Sequence, residues 1–182
     1  MPERHSSTAA RDSSLWRIAL FVFIVFSIVW LGAANVRALI GNDILKTGTV
    51  EFEDYIDPSA EREVFRLMSI ASVAVLIGYT GTLLSSIVFV VASPFRFKEH
   101  GWLMMSAILF YLFVPVEVYT LHLDWKMVYL EFFTTADNMA FRTLFRARLM
   151  ALQGAPLIAQ LCYYTIVALA VFQPMRKKMP AV

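Results

Sequence analysis

Four long apolar runs constrain the fold of this chain more than any other feature of its sequence. They cover about residues 16–40, 67–92, 102–121 and 149–172. A helix rises about 1.5 Å per residue and the hydrocarbon core of a bilayer is about 30 Å thick, so about 20 apolar residues are enough to cross it. The sequence therefore predicts an all-α, multi-pass integral membrane protein with four transmembrane helices.

The composition agrees with this interpretation and excludes some partners. Of the 182 residues 59% are hydrophobic and only 16% are charged, which leaves no room for a soluble domain. The net charge of +2 comes largely from basic residues beside the apolar runs, so it gives no reason to expect nucleic-acid binding. The single cysteine, Cys162, lies inside the fourth run and is interpreted as a core residue.

The region around the second run resembles the region around the fourth when the sequence is shifted by 80 residues. Most of the identical pairs are charged or aromatic and lie outside the apolar runs, including Asp57 with Asp137, Arg62 with Arg142, and Phe65-Arg66 with Phe145-Arg146. We interpret this as a duplication that produced two tandem helical hairpins, residues 15–98 and 99–178. The alternative is two unrelated membrane helices with similar flanking residues.

The two ends of the chain are predicted to be tails. Residues 1–14 are polar, rich in serine and without periodicity, which is typical of a disordered segment, and residues 179–182 form a short C-terminal tail. Gly32-Ala33-Ala34 resembles a signal-peptide cleavage site. The first run continues past these residues to Ile40, however, which favours a transmembrane helix.

Local signals mark where the helices begin, end and bend. Asp57-Pro58 is a typical helix start and Ser93-Pro94 a typical end, so one helix is expected to run between them. It is longer than a bilayer core, and its charged first turns must stand outside the hydrocarbon. Pro115 is expected to kink the third run. Gly154-Ala155-Pro156 is expected to kink the helix that begins near Asp137.

The connections at 41–57 and 122–137 are predicted to form a small cap outside the membrane. Residues 50–53 alternate apolar and charged side chains, and residues 128–133 are rich in strand-favouring types. If the hairpins are related by a twofold axis along the membrane normal, these extended segments lie on the same side and can pair.

Small residues recur along one face of the second run. This helix-packing stripe consists of Ala71, Ala74, Gly78, Gly81 and Ser85. Lipid provides no hydrophobic drive for helix association, so helices approach each other closely through such residues. We expect the stripe to pack against a helix of the same chain rather than to form a dimer.

Two charged residues within the apolar runs form the main candidate for a polar site. Arg37 and Glu117 occupy equivalent positions under the 80-residue shift, both near the same membrane boundary. They are interpreted as an ion pair that fixes the helix register. The alternative is a functional site at the mouth of a polar pocket that also includes Asn35 and Tyr119.

The basic residues suggest an orientation. Arg96, Lys98 and Arg176-Lys177-Lys178 are concentrated in short segments beside the ends of the runs, as are the basic residues of the N-terminal segment. Basic residues of the opposite side are diluted in longer connections and accompanied by acids. The positive-inside rule then predicts that both termini are cytoplasmic.

No sequence motif indicates an enzyme, a cofactor or a metal. There is no Cys/His cluster, nucleophile elbow, phosphate-binding loop or dinucleotide fingerprint, so no catalytic, cofactor-binding or metal-binding residue is predicted and an enzyme is disfavoured. The preferred hypothesis is a non-catalytic accessory or scaffolding component of a membrane assembly, with the bilayer and a second membrane protein, or further copies of itself, as partners. The alternative is a small transporter or channel, and a membrane enzyme or lipid-handling protein has less support.

Overall fold

The chain is helical in the computed structural model, which describes residues 5–47, 49, 51–53, 55–95, 97, 100–134 and 137–174, with side chains from Ser14 onward. Six α-helices follow in order: α1 His5–Asn42, α2 Pro58–Ala92, α3 Gly101–Leu112, α4 Val114–Phe133, α5 Asn138–Leu149 and α6 Ala155–Phe172. A 3₁₀ turn, Ala151–Gly154, precedes α6.

Four helical runs in the described ranges are long and apolar enough to cross a membrane. They are Ser14–Asn42, Pro58–Ala92, Gly101–Phe133 and Ala151–Phe172. This confirms the prediction of an all-helical chain with four such runs. The predicted tail at 179–182 and the basic residues Arg96, Lys98 and Arg176 to Lys178 lie outside the described residues. Helix α1 begins at His5, within the segment for which the sequence predicts a disordered tail.

The chain divides into two compact units that do not follow its order. The first unit contains residues up to 93 together with 124–146, and the second contains residues 94–123 together with 147 onward. The end of α4 and the start of α5 belong to the first unit because ion pairs and ring contacts join them to α2, as described below. The predicted division into hairpins at 15–98 and 99–178 stays a prediction.

Within the first unit, α1 packs along α2 through a glycine contact. A Cβ atom added to Gly78 would lie 2.7 Å from the backbone nitrogen of Trp30, closer than real Cβ atoms approach. One turn further on, Gly81 faces the ring of Phe26. The Trp30 ring then meets the Tyr79 ring edge-to-face with centroids 4.8 Å apart. Absent side chains at Gly78 and Gly81 therefore allow the close approach of α1.

Within the second unit, α3 packs on α6. The ring of Tyr163 on α6 lies 6.1 Å from that of Phe110 and 6.4 Å from that of Phe113. The chain leaves helical geometry at Phe113, between α3 and α4 and two residues before Pro115. Proline cannot supply the backbone donor that a continuous helix needs, which explains the interruption predicted at this point.

Helices α2 and α5 begin in the same way. The Asp57 carboxylate accepts hydrogen bonds from the backbone N–H groups of Ser59 and Ala60, at 3.1 and 3.2 Å. The Asp137 carboxylate accepts one from Met139 N–H at 2.9 Å. These caps satisfy backbone donors that have no partner inside the helix.

Beyond their starts the two helices differ. Helix α2 runs for 35 residues without a break, whereas α5 ends after 12 residues at Leu149. Leu152, Gln153 and Gly154 then adopt left-handed backbone angles, with φ of 54°, 50° and 90°. The bend predicted at Gly154-Ala155-Pro156 is thus a complete interruption, and Pro156 lies in the first turn of α6.

The prediction of an extended segment at 128–133 is wrong, because these residues complete α4. The extended pairing that does occur lies inside the other connection. Leu45 and Phe52 form an isolated antiparallel bridge, flanked by a hydrogen bond of 2.8 Å from Lys46 N–H to the Glu51 carbonyl oxygen. Aromatic and β-branched residues favour strands only weakly, and here tertiary contacts of α4 override that preference.

Candidate functional site

Helix α4 carries three acidic residues at seven-residue intervals, and the last two of them organise the polar groups of the first unit. Glu117, Asp124 and Glu131 lie on one helix face, since seven residues are close to two helical turns. Asp124 is fully buried, and Met127 and Val128 beside it are buried as well. This face of the second half of α4 is therefore turned into the first unit, and two of its acids are paired with arginines there.

Asp124 forms a buried ion pair with Arg37. The Arg37 guanidinium donates from Nη1 to Oδ2 of Asp124, and the same nitrogen lies 3.4 Å from the Ser72 hydroxyl oxygen. Arg37 is in α1, Ser72 in α2 and Asp124 in α4. One guanidinium therefore joins three helices. Such a pair is stable only when the charges compensate each other, since each loses its hydration on burial.

A second group of charges joins the starts of α2 and α5 to the end of α4. Arg62 donates to Oε1 of Glu131, and Arg142 donates from Nε to Oε1 of Glu61. The Glu61 carboxylate also accepts a hydrogen bond of 3.2 Å from the Asn138 side chain. The two carboxylates are each only 5% exposed at the side chain. We call these five residues, Glu61, Arg62, Glu131, Asn138 and Arg142, the charged layer.

Aromatic rings fill the space beside the charged layer. Phe65 and Phe141 are both buried and stack with centroids 4.2 Å apart and an interplanar angle of 21°. The guanidinium of Arg142 lies 5.1 Å from the centroid of the Phe52 ring, and that of Arg146 lies 5.8 Å from it. These cation–π contacts attach the 41–57 connection to α5.

The structure describes the four residues of the predicted polar site one by one, and their association stays a prediction. Arg37 belongs to the first unit and Glu117 to the second, and both are buried. The ion pair described above joins Arg37 to Asp124, and the contact of Arg37 with Glu117 stays a prediction. Asn35 is exposed and donates to the Leu31 carbonyl oxygen of its own helix at 2.8 Å, while Tyr119 is also exposed.

Sequence reasoning missed Asp124 and Glu131 because it assigned 122–137 to a connection. The signal was present in the seven-residue spacing of the three acids. Reading residues 114–133 as one helix would have placed Asp124 on the same face as Glu117. Nothing in the spacing alone, however, identifies which arginine each acid meets.

Two residues of the helix-packing stripe, Gly78 and Gly81, lie at the contact of α2 with α1. Ala71 and Ser85 are buried, and Ala74 is half-buried. The Ser85 hydroxyl donates to the Gly81 carbonyl oxygen at 2.6 Å, so its polar group is satisfied within α2. This hydrogen bond allows a serine to line a close helix contact without an unpaired hydroxyl.

The chemistry of these residues is that of paired charges. Arg37, Arg62 and Arg142 are each hydrogen-bonded to a carboxylate of another helix, and no group of three or more potential metal ligands occurs in the described ranges. Comparison with known proteins finds no match, whether with protein-family models, curated proteins or solved structures.

Proposed function

We propose that the chain is a non-catalytic accessory or scaffolding component of a membrane assembly. In this proposal the four apolar helical runs anchor it in the bilayer, and the charged layer with its aromatic neighbours forms a rigid end outside the hydrocarbon. Its partner is another membrane protein or further copies of itself. The sequence contributes no motif for catalysis, and the charged side chains serve to hold helices together.

The observation that carries this proposal is the mutual pairing of the buried charges. Arg37 with Asp124, Arg62 with Glu131 and Arg142 with Glu61 each join two different helices. Burying an ionisable residue in or near a membrane span costs free energy, so such residues usually pair with one another or mark a functional site. Pairs that connect helices fix their relative positions, which is what a scaffold requires.

The duplicated hairpin is part of the same proposal. Asp57 and Asp137 cap α2 and α5 with equivalent hydrogen bonds. The Asn138 side chain also lies 3.5 Å from the carbonyl oxygen of Pro58, its equivalent under the 80-residue shift. Contacts between equivalent positions are expected near a twofold axis that relates two copies. We propose that this axis runs along the membrane normal and that both termini are cytoplasmic.

A small transporter or channel is the second candidate, and one observation favours it. The backbone between α5 and α6 leaves helical geometry at Leu152 and Gln153, at the start of a run apolar enough for a membrane. Interrupted helices at membrane depth are tolerated where they are buried in protein or line a water-filled cavity, and they mark substrate sites in many transporters. In this alternative, Arg37 and Glu117 belong to the transport path.

Gentle extraction followed by mass measurement of the intact complexes separates the two candidates. A scaffold is expected to leave the membrane with a larger partner in fixed stoichiometry, both as wild type and as Glu117→Gln. Reconstitution of the purified chain alone into liposomes is the complementary experiment. A lone oligomer that moves a solute, and loses this activity on Glu117→Gln but not on the exposed control Tyr55→Phe, would overturn the scaffold proposal.

A further inference from the structure

The outer face of the second half of α4 carries a cation among exposed aromatic rings. Trp125 and Tyr129 are 50% and 51% exposed, and Phe132 and Phe133 are also exposed. Lys126 is exposed on the same side and makes no ion pair with any residue in the described part of the chain. This outward orientation is fixed, because Asp124 and Glu131 on the opposite face are bound to Arg37 and Arg62.

The position of this face along the helix relates it to the membrane boundary. The run Gly101–Phe133 has 33 residues, which is about 50 Å of helix, while the hydrocarbon core is about 30 Å thick. Its apolar part begins at Trp102, and the 20 residues from Trp102 to Leu121 span about 30 Å. The far boundary of the hydrocarbon core therefore lies near Leu121. Trp125 and Lys126 lie about 6 to 8 Å beyond that point. The headgroup layer of one leaflet is about 5 to 8 Å thick, so both residues fall at its level.

The direction of the side chains brings Tyr129 to the same level. Side chains on a helix point back toward its N-terminus, and the N-terminus of α4 is on the hydrocarbon side. Tyr129 therefore covers the surface one turn nearer the membrane, next to Trp125 and Lys126. Its ring stacks on that of Phe133, with centroids 5.5 Å apart and an interplanar angle of 16°.

We propose that Trp125, Lys126 and Tyr129 form a binding site for the headgroup of an anionic phospholipid. Trp and Tyr rings are enriched at the membrane–water interface, where their apolar bodies face acyl chains and their polar edges face headgroups. A lysine between them supplies the charge that a lipid phosphate requires, without competition from a neighbouring acid of α4, since Asp124 and Glu131 point the other way. The proposal does not depend on the scaffold function and needs only that the run Gly101–Phe133 crosses the bilayer.

Quenching of a single tryptophan tests this site. The full chain has four tryptophans, so Trp16→Phe, Trp30→Phe and Trp102→Phe together leave Trp125 as the only emitter. The protein is placed in phosphatidylcholine bilayers that contain brominated phosphatidylglycerol or, for comparison, brominated phosphatidylcholine. We expect several-fold stronger relative binding of the anionic lipid, decreasing with added salt. Lys126→Gln should reduce the preference to about one, whereas Lys46→Gln, at the repeat-equivalent position, should leave it unchanged.

Several outcomes would overturn the proposal. Equal quenching by the two lipids, or an unchanged preference in Lys126→Gln, would show that no headgroup is selected. Shielding of Trp125 from both aqueous iodide and brominated lipid would show that a protein surface covers this face. Displacement of the lipid by excess inorganic phosphate would assign the site to a free anion. If the triple tryptophan variant does not fold, the unmodified chain in detergent serves instead: phosphatidylglycerol should raise its Tm, and should fail to do so with Lys126→Gln.

Discussion

The guanidinium of Arg37 in α1 is bonded to the carboxylate of Asp124 in α4, eighty-seven residues further along the chain. Asp124 is fully buried and Arg37 nearly so. The two side chains are only 10% and 1% exposed, so water compensates poorly for the loss of either charge. The pair therefore couples the position of α4 to that of α1, and its removal should lower the stability of the whole first unit.

Asp124→Asn should destabilise the folded protein by about 3 to 5 kcal/mol, because it leaves a buried guanidinium without its counter-charge. Thermal unfolding in detergent free of phospholipid measures this effect. Lys126→Gln is the matched control, since it also removes one charge from α4 but at an exposed position, and it should change stability by less than about 0.5 kcal/mol. Arg37→Met combined with Asp124→Leu should recover most of the loss. An Asp124→Asn protein as stable as wild type would contradict the structural role of the pair.

The predicted contact of Arg37 with Glu117 is tested by the folded yield in detergent. If the two side chains interact, Glu117→Gln should lower the folded yield of the wild type, and should lower it much less in an Arg37→Met background. Strictly additive losses from the two single changes would argue against the contact. Unchanged yield with loss of a transport activity would instead favour the functional interpretation.

Gly78→Ala should destabilise the contact of α1 with α2 by roughly 1 to 3 kcal/mol, because the new Cβ would overlap the Trp30 backbone and one helix must shift. Gly32→Ala is the control. No atom lies within 4 Å of a Cβ added there, so this change should be neutral, or stabilising by up to about 1 kcal/mol through helix propensity. Equal effects of the two substitutions on the unfolding temperature would show that α1 does not approach α2 at Gly78.

Double-mutant cycles should distinguish the charged layer from an ordinary surface ion pair. Arg62→Ala with Glu131→Ala is expected to give a coupling energy on the order of 1 kcal/mol or more, because Glu131 is buried. The comparison pair is Arg66 with Glu63, which are 58% and 65% exposed at the side chain and 3.5 Å apart. Its coupling should lie near zero to about 0.5 kcal/mol and vanish in high salt. Similar couplings in both cycles would count against the layer as a structural element.

The start of α2 should respond to acid. The hydroxyl of Ser59 and the backbone N–H of Ala60 hydrogen-bond to the Asp57 carboxylate and lower its pKa below the usual 3.8. A lowered pKa in the folded state means that the cap contributes stability above pH 3.8, and that this contribution is lost as the pH falls through the folded pKa. Asp57→Asn keeps a good capping side chain and should remove that acid-dependent component. A stability profile below pH 4 that is identical for both proteins would contradict this.

The proposed orientation predicts which positions an impermeant thiol reagent reaches in intact cells. In a Cys162→Ser background, single cysteines at Glu53 and Thr134 should be labelled from outside. Cysteines at Ser6 and Lys178 should react only after the membrane is opened, because the dense basic segments favour the cytoplasm. Labelling of Glu53→Cys only in opened membranes would reverse the topology.

The four apolar runs and the start of α2 were determined by the sequence alone. Bilayer thickness fixes the length of a spanning helix, and the Asp57-Pro58 pair marks a helix start through local hydrogen bonds, so neither depends on distant residues. The same holds for the interruptions near Pro115 and Gly154, since proline and glycine act on their own backbone.

Only the tertiary structure decided the conformation of residues 128–133 and the partners of the acids. The local sequence of this segment favours a strand, but burial of Asp124 and Glu131 against Arg37 and Arg62 requires them on one helical face, and those contacts outweigh a weak local preference. The arginines are far from these acids in the sequence, and no local rule connects them. The sequence predicts how many helices there are but not how they pack. Their packing decides which charges pair, and therefore that the face of α4 with Trp125 and Lys126 is exposed.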